Sequence, residues 1–179
     1  MKSKLLSFTK PIIVAFTAFL SLTLLSCSSD DDSSGGNYSI SLKIDGVLKQ
    51  YTSAQVEEGY YIDEPPLYRL TFKAEDGTDQ VYITLFDTSP LTEKNYVGYT
   101  VNQTNTNVTI KGPQISIAQN GLYYNSITSE NHNDISLDVT NMTSNTMRGT
   151  FNGIVKRDGE PDISITEGEF FIPYKKSED

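Results

Sequence analysis

Glu167 and Glu169, one residue apart, are the simplest pair in this chain with the chemistry to work on a bond. Glycoside hydrolysis uses two carboxyl groups about 5 to 9.5 Å apart, one as acid and the other as base or nucleophile. Charged residues beside an irregular strand also serve to block edge-to-edge aggregation, which is the blander use of the same pair. The preceding segment raises calcium. Counted from Asp158, acids fall at positions 1, 3 and 5 (Asp158, Glu160, Asp162) and again at 12 (Glu169), the order in which a twelve-residue calcium loop supplies its oxygens. Position 6 is Ile163 where such a loop turns on glycine, and position 4 is Pro161. The expectation is therefore a solvated turn, with Asp158, Glu160 and Asp162 offering at most a weak calcium site. His132, the single histidine, lies in SENHND and has no second histidine with which to build a metal site. It reads as a solvated loop residue.

Tyrosine is in excess, with eleven residues against no tryptophan. Exposed tyrosines bring apolar area and a hydroxyl at low entropic cost, which suits sugar rings and protein partners alike. Tyr60, Tyr61, Tyr123 and Tyr124 fall near expected loops or strand ends, as do Tyr96 and Tyr99. The first four form the candidate binding platform. Tyrosine is also a good strand residue, so packing competes with binding as its use.

The elements that must position these residues are strands. Ile40, Leu42 and Ile44 alternate with polar neighbours up to Asp45-Gly46, and Tyr68, Leu70, Phe72 and Ala74 do so up to Asp76-Gly77. Val81, Ile83 and Leu85 follow, then Ile115 and Ile117 before Asn120-Gly121, then Ile135, Leu137 and Val139. No stretch after residue 37 keeps a 3.6-residue apolar stripe. The pattern predicts an all-β fold: one antiparallel β-sandwich, or a Greek-key or jelly-roll-like barrel, of roughly eight to ten strands. Ser53 to Pro66 is the longest segment without clear alternation and is expected to be a loop, the best candidate for a binding loop.

The last hairpin runs from 146 to 174 and turns near Asp158-Gly159. Ile163 and Ile165 share one parity while Phe170 and Ile172 have the other, so one extra residue must be absorbed between them, with Gly168 the natural site of a β-bulge. Gly149 and Gly153 flank Phe151 and leave room beside its ring. Such a hairpin implies strong curvature.

At the other end, Lys2, Lys4 and Lys10 precede an apolar-to-small run of fourteen residues, Ile12 to Leu25. A helical span of a bilayer needs about 20 apolar residues, so residues 1–26 read as an export signal rather than an anchor helix. The only cysteine, Cys27, comes next. With none after it, disulfides, cysteine nucleophiles and cysteine-zinc sites are excluded from the folded domain. Leu24-Leu25-Ser26-Cys27 resembles the lipobox of bacterial lipoproteins, departing from its commonest form at Leu25. That resemblance implies cleavage before Cys27 and acylation of Cys27, and several acyl chains hold a protein to a membrane where a single one binds only marginally. Ser28-Ser29-Asp30-Asp31-Asp32 resembles the acidic export tract of surface lipoproteins of Bacteroidota. It implies a lipid-anchored protein of the outer membrane, facing outward, with Ser at 28 favouring the outer over the inner membrane.

The organisation expected is thus a signal peptide (1–26), an acylated cysteine with an acidic flexible tether (27–37), an all-β domain (38–175) and a polar tail (176–179). Removing the signal takes three of fourteen basic residues and none of twenty-three acidic ones, which leaves a net charge of −12. A nucleic-acid partner is excluded on that balance. The IDG strand at 44–46 and the closing hairpin resemble a group of uncharacterised small β-domain lipoproteins of Bacteroidota, and these motifs are structural. Together the features predict a non-catalytic accessory, structural or protein-contact module without a cofactor beyond its lipid. A glycan-binding module at the cell surface is the alternative, and a glycoside hydrolase using acidic pairs the remote one.

Overall fold

Alternating strands joined by tight reversals pair with their neighbours, and here the reversals have the expected backbone. Asp45 and Gly46 take φ values of 47° and 82°, and Asn120 and Gly121 take 53° and 75°. Two successive positive φ values define the type I′ turn, whose twist matches that of the flanking strands. The computed structural model describes residues 37–62, 66–104, 108–127 and 132–175, with the backbone alone at 58–62 and 132–133. Cys27, the acidic tract and the polar tail lie outside the described residues.

Every described element is a strand: β1 (Ser39–Ile44), β2 (Val47–Tyr51), β3 (Gln55–Ile62), β4 (Leu67–Asp76), β5 (Asp79–Asp87), β6 (Asn95–Gln103), β7 (Val108–Gln119), β8 (Leu122–Asn125), β9 (His132–Met142), β10 (Thr146–Val155) and β11 (Ile163–Pro173). They form one eleven-stranded sheet in the order β2-β1-β11-β10-β9-β6-β7-β5-β4-β3, with β8 paired to β7 off that path. All pairings are antiparallel. The all-β, sandwich- or barrel-like class is as the alternation predicts, with one strand more than the upper expectation.

A sheet this wide must curl, and it does so where two strands change partners midway. β6 pairs with β9 through Asn95–Tyr99 and with β7 through Thr100–Gln103. β7 in turn gives Val108–Lys111 to β6 and Gly112–Ala118 to β5. At the corner Gly112 has φ of 98°, and a side chain there would run into the Gly98 carbonyl. The two wings so formed share one core. Ile40, Leu42, Phe72, Ile83, Leu85, Ile115 and Leu137 are all fully buried in it, and the rings of Phe72 on β4 and Phe170 on β11 meet at 5.0 Å between centroids.

Three features of the strands differ from expectation. Ser53 to Pro66 is not a long loop, because β3 occupies its middle and pairs with β4 as the last strand of the sheet. The register slips between Val56 and Glu58, so one extra residue breaks the alternation that would have marked it. β6 escaped notice for a similar reason: Tyr96, Gly98 and Tyr99 are all buried, which no period of two describes. In the closing hairpin the extra residue is real but sits one position earlier than Gly168. Phe151 pairs with Gly168 and Gly153 with Ile165, Thr166 and Glu167 are both exposed, and Glu167 carries the positive φ, 48°.

The glycines of that hairpin have a different purpose. Gly149 lies opposite Phe170 and Gly168 opposite Phe151, two reciprocal ring-over-glycine pairs, while Gly153 faces Ile165 rather than a ring. A β-carbon on Gly149 would stand 2.8 Å from the Phe170 ring, and one on Gly168 would stand 2.7 Å from the Phe151 ring. Each glycine is the floor on which a neighbouring aromatic lies flat.

Candidate functional site

The residues singled out from sequence do not converge. Tyr60 and Tyr61 lie on β3 opposite Arg69 and Tyr68, and their side chains lie outside the described residues. Tyr123 and Tyr124 lie on β8 opposite Ala118 and Ile117. The strands β7, β5 and β4 separate β8 from β3, so the two pairs stand about 19 Å apart across the sheet alone. They also map to opposite ends of β5, through Gln80 for Tyr123 and Asp87 for Tyr61. Tyr124 is buried in the core, whereas Tyr123 is half exposed. A single platform of Tyr60, Tyr61, Tyr123 and Tyr124 is thus corrected: the two pairs lie on strands that are not neighbours, and on β8 the alternation of side chains turns Tyr124 into the core while Tyr123 faces out.

The acids of the last hairpin stay apart as well. Asp158, Glu160 and Asp162 are all exposed, and Asp162 reaches Lys156 at 3.3 Å. Among the described residues no three histidine, cysteine or acidic side chains come together to hold a metal ion. Glu167 is bound by Lys43 at 2.6 Å, so the Glu167–Glu169 pair has one member engaged in an ion pair between β11 and β1. His132 opens β9 opposite Tyr99 rather than lying in a loop, and its side chain lies outside the described residues.

The tightest polar knot is structural. Asp87 ends β5 almost fully buried, and its Oδ1 accepts from the Thr88 and Ser89 amides at 2.7 and 3.3 Å. Oδ2 accepts from Lys94 Nζ at 2.5 Å, and that ammonium lies 4.5 Å from the centre of the Tyr96 ring. Burial pushes the Asp87 carboxyl up, but the Lys94 hydrogen bond and charge and the two amides outweigh it and hold the group below its ordinary 3.8. A depressed carboxylate adds stability that is complete above the unfolded value and disappears as the pH falls through the folded one. Asp87→Asn is therefore expected to cost about 2 kcal/mol at neutral pH. The gap between the two urea midpoints should close as the pH falls below that ordinary value; a gap independent of pH would show that the charge contributes nothing.

The candidate surface lies instead on the outer face of the β1–β11–β10–β9 wing. Outward positions there line up in two ladders across the strands. Ser39, Phe171, Arg148 and Asn141 form one, and Ser41, Glu169, Thr150 and Asp138 the next. Between them lies an open groove of about 380 Å³ lined by Ser39, Ser41, Thr140, Arg148, Thr150, Glu169 and Phe171. The Arg148 guanidinium lies 4.9 Å from the centre of the Phe171 ring, whose other neighbour is the Tyr38 ring at 5.4 Å. Arg148 and Glu169 are both exposed, and neither belongs to any ion pair among the described residues. Stacking on a ring keeps a guanidinium flat and leaves its in-plane donors available.

Sequence reading passed over this surface because outward polar residues look like ordinary solvated positions on each strand taken singly. The one available signal was Phe170-Phe171, two adjacent rings of which alternation must expose one. The fold is thus an all-β domain with a shallow groove on one outer face. No protein-family model matches the chain, nor does any curated protein or solved structure.

Proposed function

We propose that this protein is a lipid-anchored envelope lipoprotein whose β domain works by non-covalent contact and not by catalysis. The observation that supports the contact reading is the outer-face groove with its stacked Arg148 and unengaged Glu169, open to solvent and built from hydroxyls. Such a surface can hold a partner, whereas general acid–base or nucleophilic chemistry calls for groups held within hydrogen-bond reach of one another. The lipobox-like Leu24–Cys27 supports anchoring, and the acidic tract after it supports an outer-membrane position facing outward.

The anchor is tested by Cys27→Ala. The unchanged protein should enter the detergent phase of Triton X-114 and remain with membranes, while the variant should pass to the aqueous phase. A variant that stays membrane-bound would overturn the lipid anchor. Digestion of the domain by protease added to intact cells supports outward display; full protection until the cells are lysed contradicts it.

A further inference from the structure

We infer that the groove on the β1–β11–β10–β9 face binds a neutral polysaccharide, with Arg148 and Glu169 holding sugar hydroxyls and Phe171 supplying the apolar patch. This deepens the contact reading and rests on it. The first argument is the match of donors and acceptors. A sugar ring presents adjacent hydroxyls that each donate and accept. The groove meets them with a guanidinium that only donates, a carboxylate that only accepts, the hydroxyls of Ser39, Ser41 and Thr150, which do both, and that of Thr140, which donates to the Arg148 carbonyl and can still accept. Arg148 and Glu169 are diagonal neighbours across β10 and β11, close enough to engage hydroxyls of one ring or of two successive rings.

Charge then decides among carbohydrates. Arg148 and Glu169 offset one another, Asp138 beside Thr150 and Asp134 further along add negative charge, and the chain without its first 26 residues carries −12, so a polyanionic glycan is repelled where a neutral one is not. Composition weighs between occupants. Serine and glutamate are depleted at the buried centre of a protein interface while arginine and phenylalanine are enriched there, and a groove of two serines, two threonines and a glutamate around Arg148 and Phe171 is richer in hydroxyls than such a centre.

Shape favours a polymer over a single sugar. Further along β10 and β11 lies a second open groove of about 380 Å³, lined by Asp134, Asn152, Ser164, Thr166 and Glu167 among others, two residues on from Thr150 and Glu169 of the first. From Arg148 to Asn152 the polar track runs about 13 Å along the strand, a path for successive rings rather than one.

The test uses the full-length protein, purified from membranes in a polyoxyethylene detergent that carries no sugar. Its binding is measured to neutral polysaccharides of different backbones (α-glucan, β-glucan, mannan, xylan and galactan), with polygalacturonate and dextran sulfate as anionic probes. At least one neutral polymer should bind saturably. Arg148→Ala and Phe171→Ala should each weaken it tenfold or more, Arg148→Lys should weaken it severalfold because lysine lacks the planar fork, and Tyr123→Ala on β8 should leave it unchanged. Unaltered urea midpoints for these outward positions keep loss of binding distinct from loss of fold. The proposal is overturned if no neutral polymer binds, if only the anionic ones do, or if binding survives the groove substitutions. A photoreactive residue replacing Thr150 in living cells separates the two levels of the reading. A protein adduct that disappears with Arg148→Ala would overturn the glycan occupant and retain the contact function; neither polymer nor adduct would overturn both.

Discussion

Gly168→Ala is expected to destabilise the domain by about 3 kcal/mol, at the upper end of what one added carbon costs in a packed interior. The new β-carbon would stand 2.7 Å from Cδ2 and Cε2 of Phe151 and against the Phe151 carbonyl oxygen. Neither neighbour can give way cheaply, since the ring is 2% exposed and its backbone is paired on both sides, to β11 and to β9. The urea midpoint measures the loss. If the ring is the obstacle, Phe151→Ala made on top of Gly168→Ala should cost markedly less than the sum of the two single changes. Strict additivity would place the strain in the backbone alone. Gly149→Ala beneath Phe170 should behave in the same way, since there too a ring and a backbone oxygen, that of Asp138, meet the added carbon.

Phe72→Ala should cost more, about 4 kcal/mol, the range for an aromatic deleted from a core. Phe72 is wholly buried, and its ring is the one that meets Phe170 across the space between the wings. Removing it opens a cavity where β4 and β11, far apart in the order of strands, touch ring to ring. Phe72→Leu should recover more than half of that loss by refilling the volume. A urea midpoint for Phe72→Ala within error of the unchanged protein would mean that the wings are held together elsewhere, chiefly at the Gly98–Gly112 corner.

Much of this fold is legible residue by residue, because the inward positions of most strands repeat with a period of two. Ile40, Leu42 and Ile44, then Val81, Ile83 and Leu85, then Ile135, Leu137 and Val139 are buried as their alternation predicts. The parity change between Ile165 and Phe170 likewise announced a bulge before the structure located it at Glu167. The strands that escaped are those in which an inserted residue or a corner breaks the period: β3 at Glu57 and β6 at Gly98. A period can be recognised only over a run longer than its interruptions.

The candidate site was hidden for a different reason. Ser39, Ser41, Arg148, Thr150, Glu169 and Phe171 belong to three strands separated by up to 132 positions in the chain, and each is an unremarkable outward residue on its own strand. They form a groove only because β11 inserts between β1 and β10. Local sequence specifies which side of a strand is apolar, since burial acts on each residue separately. Which strands become neighbours depends on the closure of one core by residues distant in sequence. The sequence by itself therefore determined the strand class, the turns, the acidic balance and the expectation of an anchored address. The tertiary structure alone decided that Tyr124 is core, that the four tyrosines stand apart, and that Arg148, Glu169 and Phe171 share one surface.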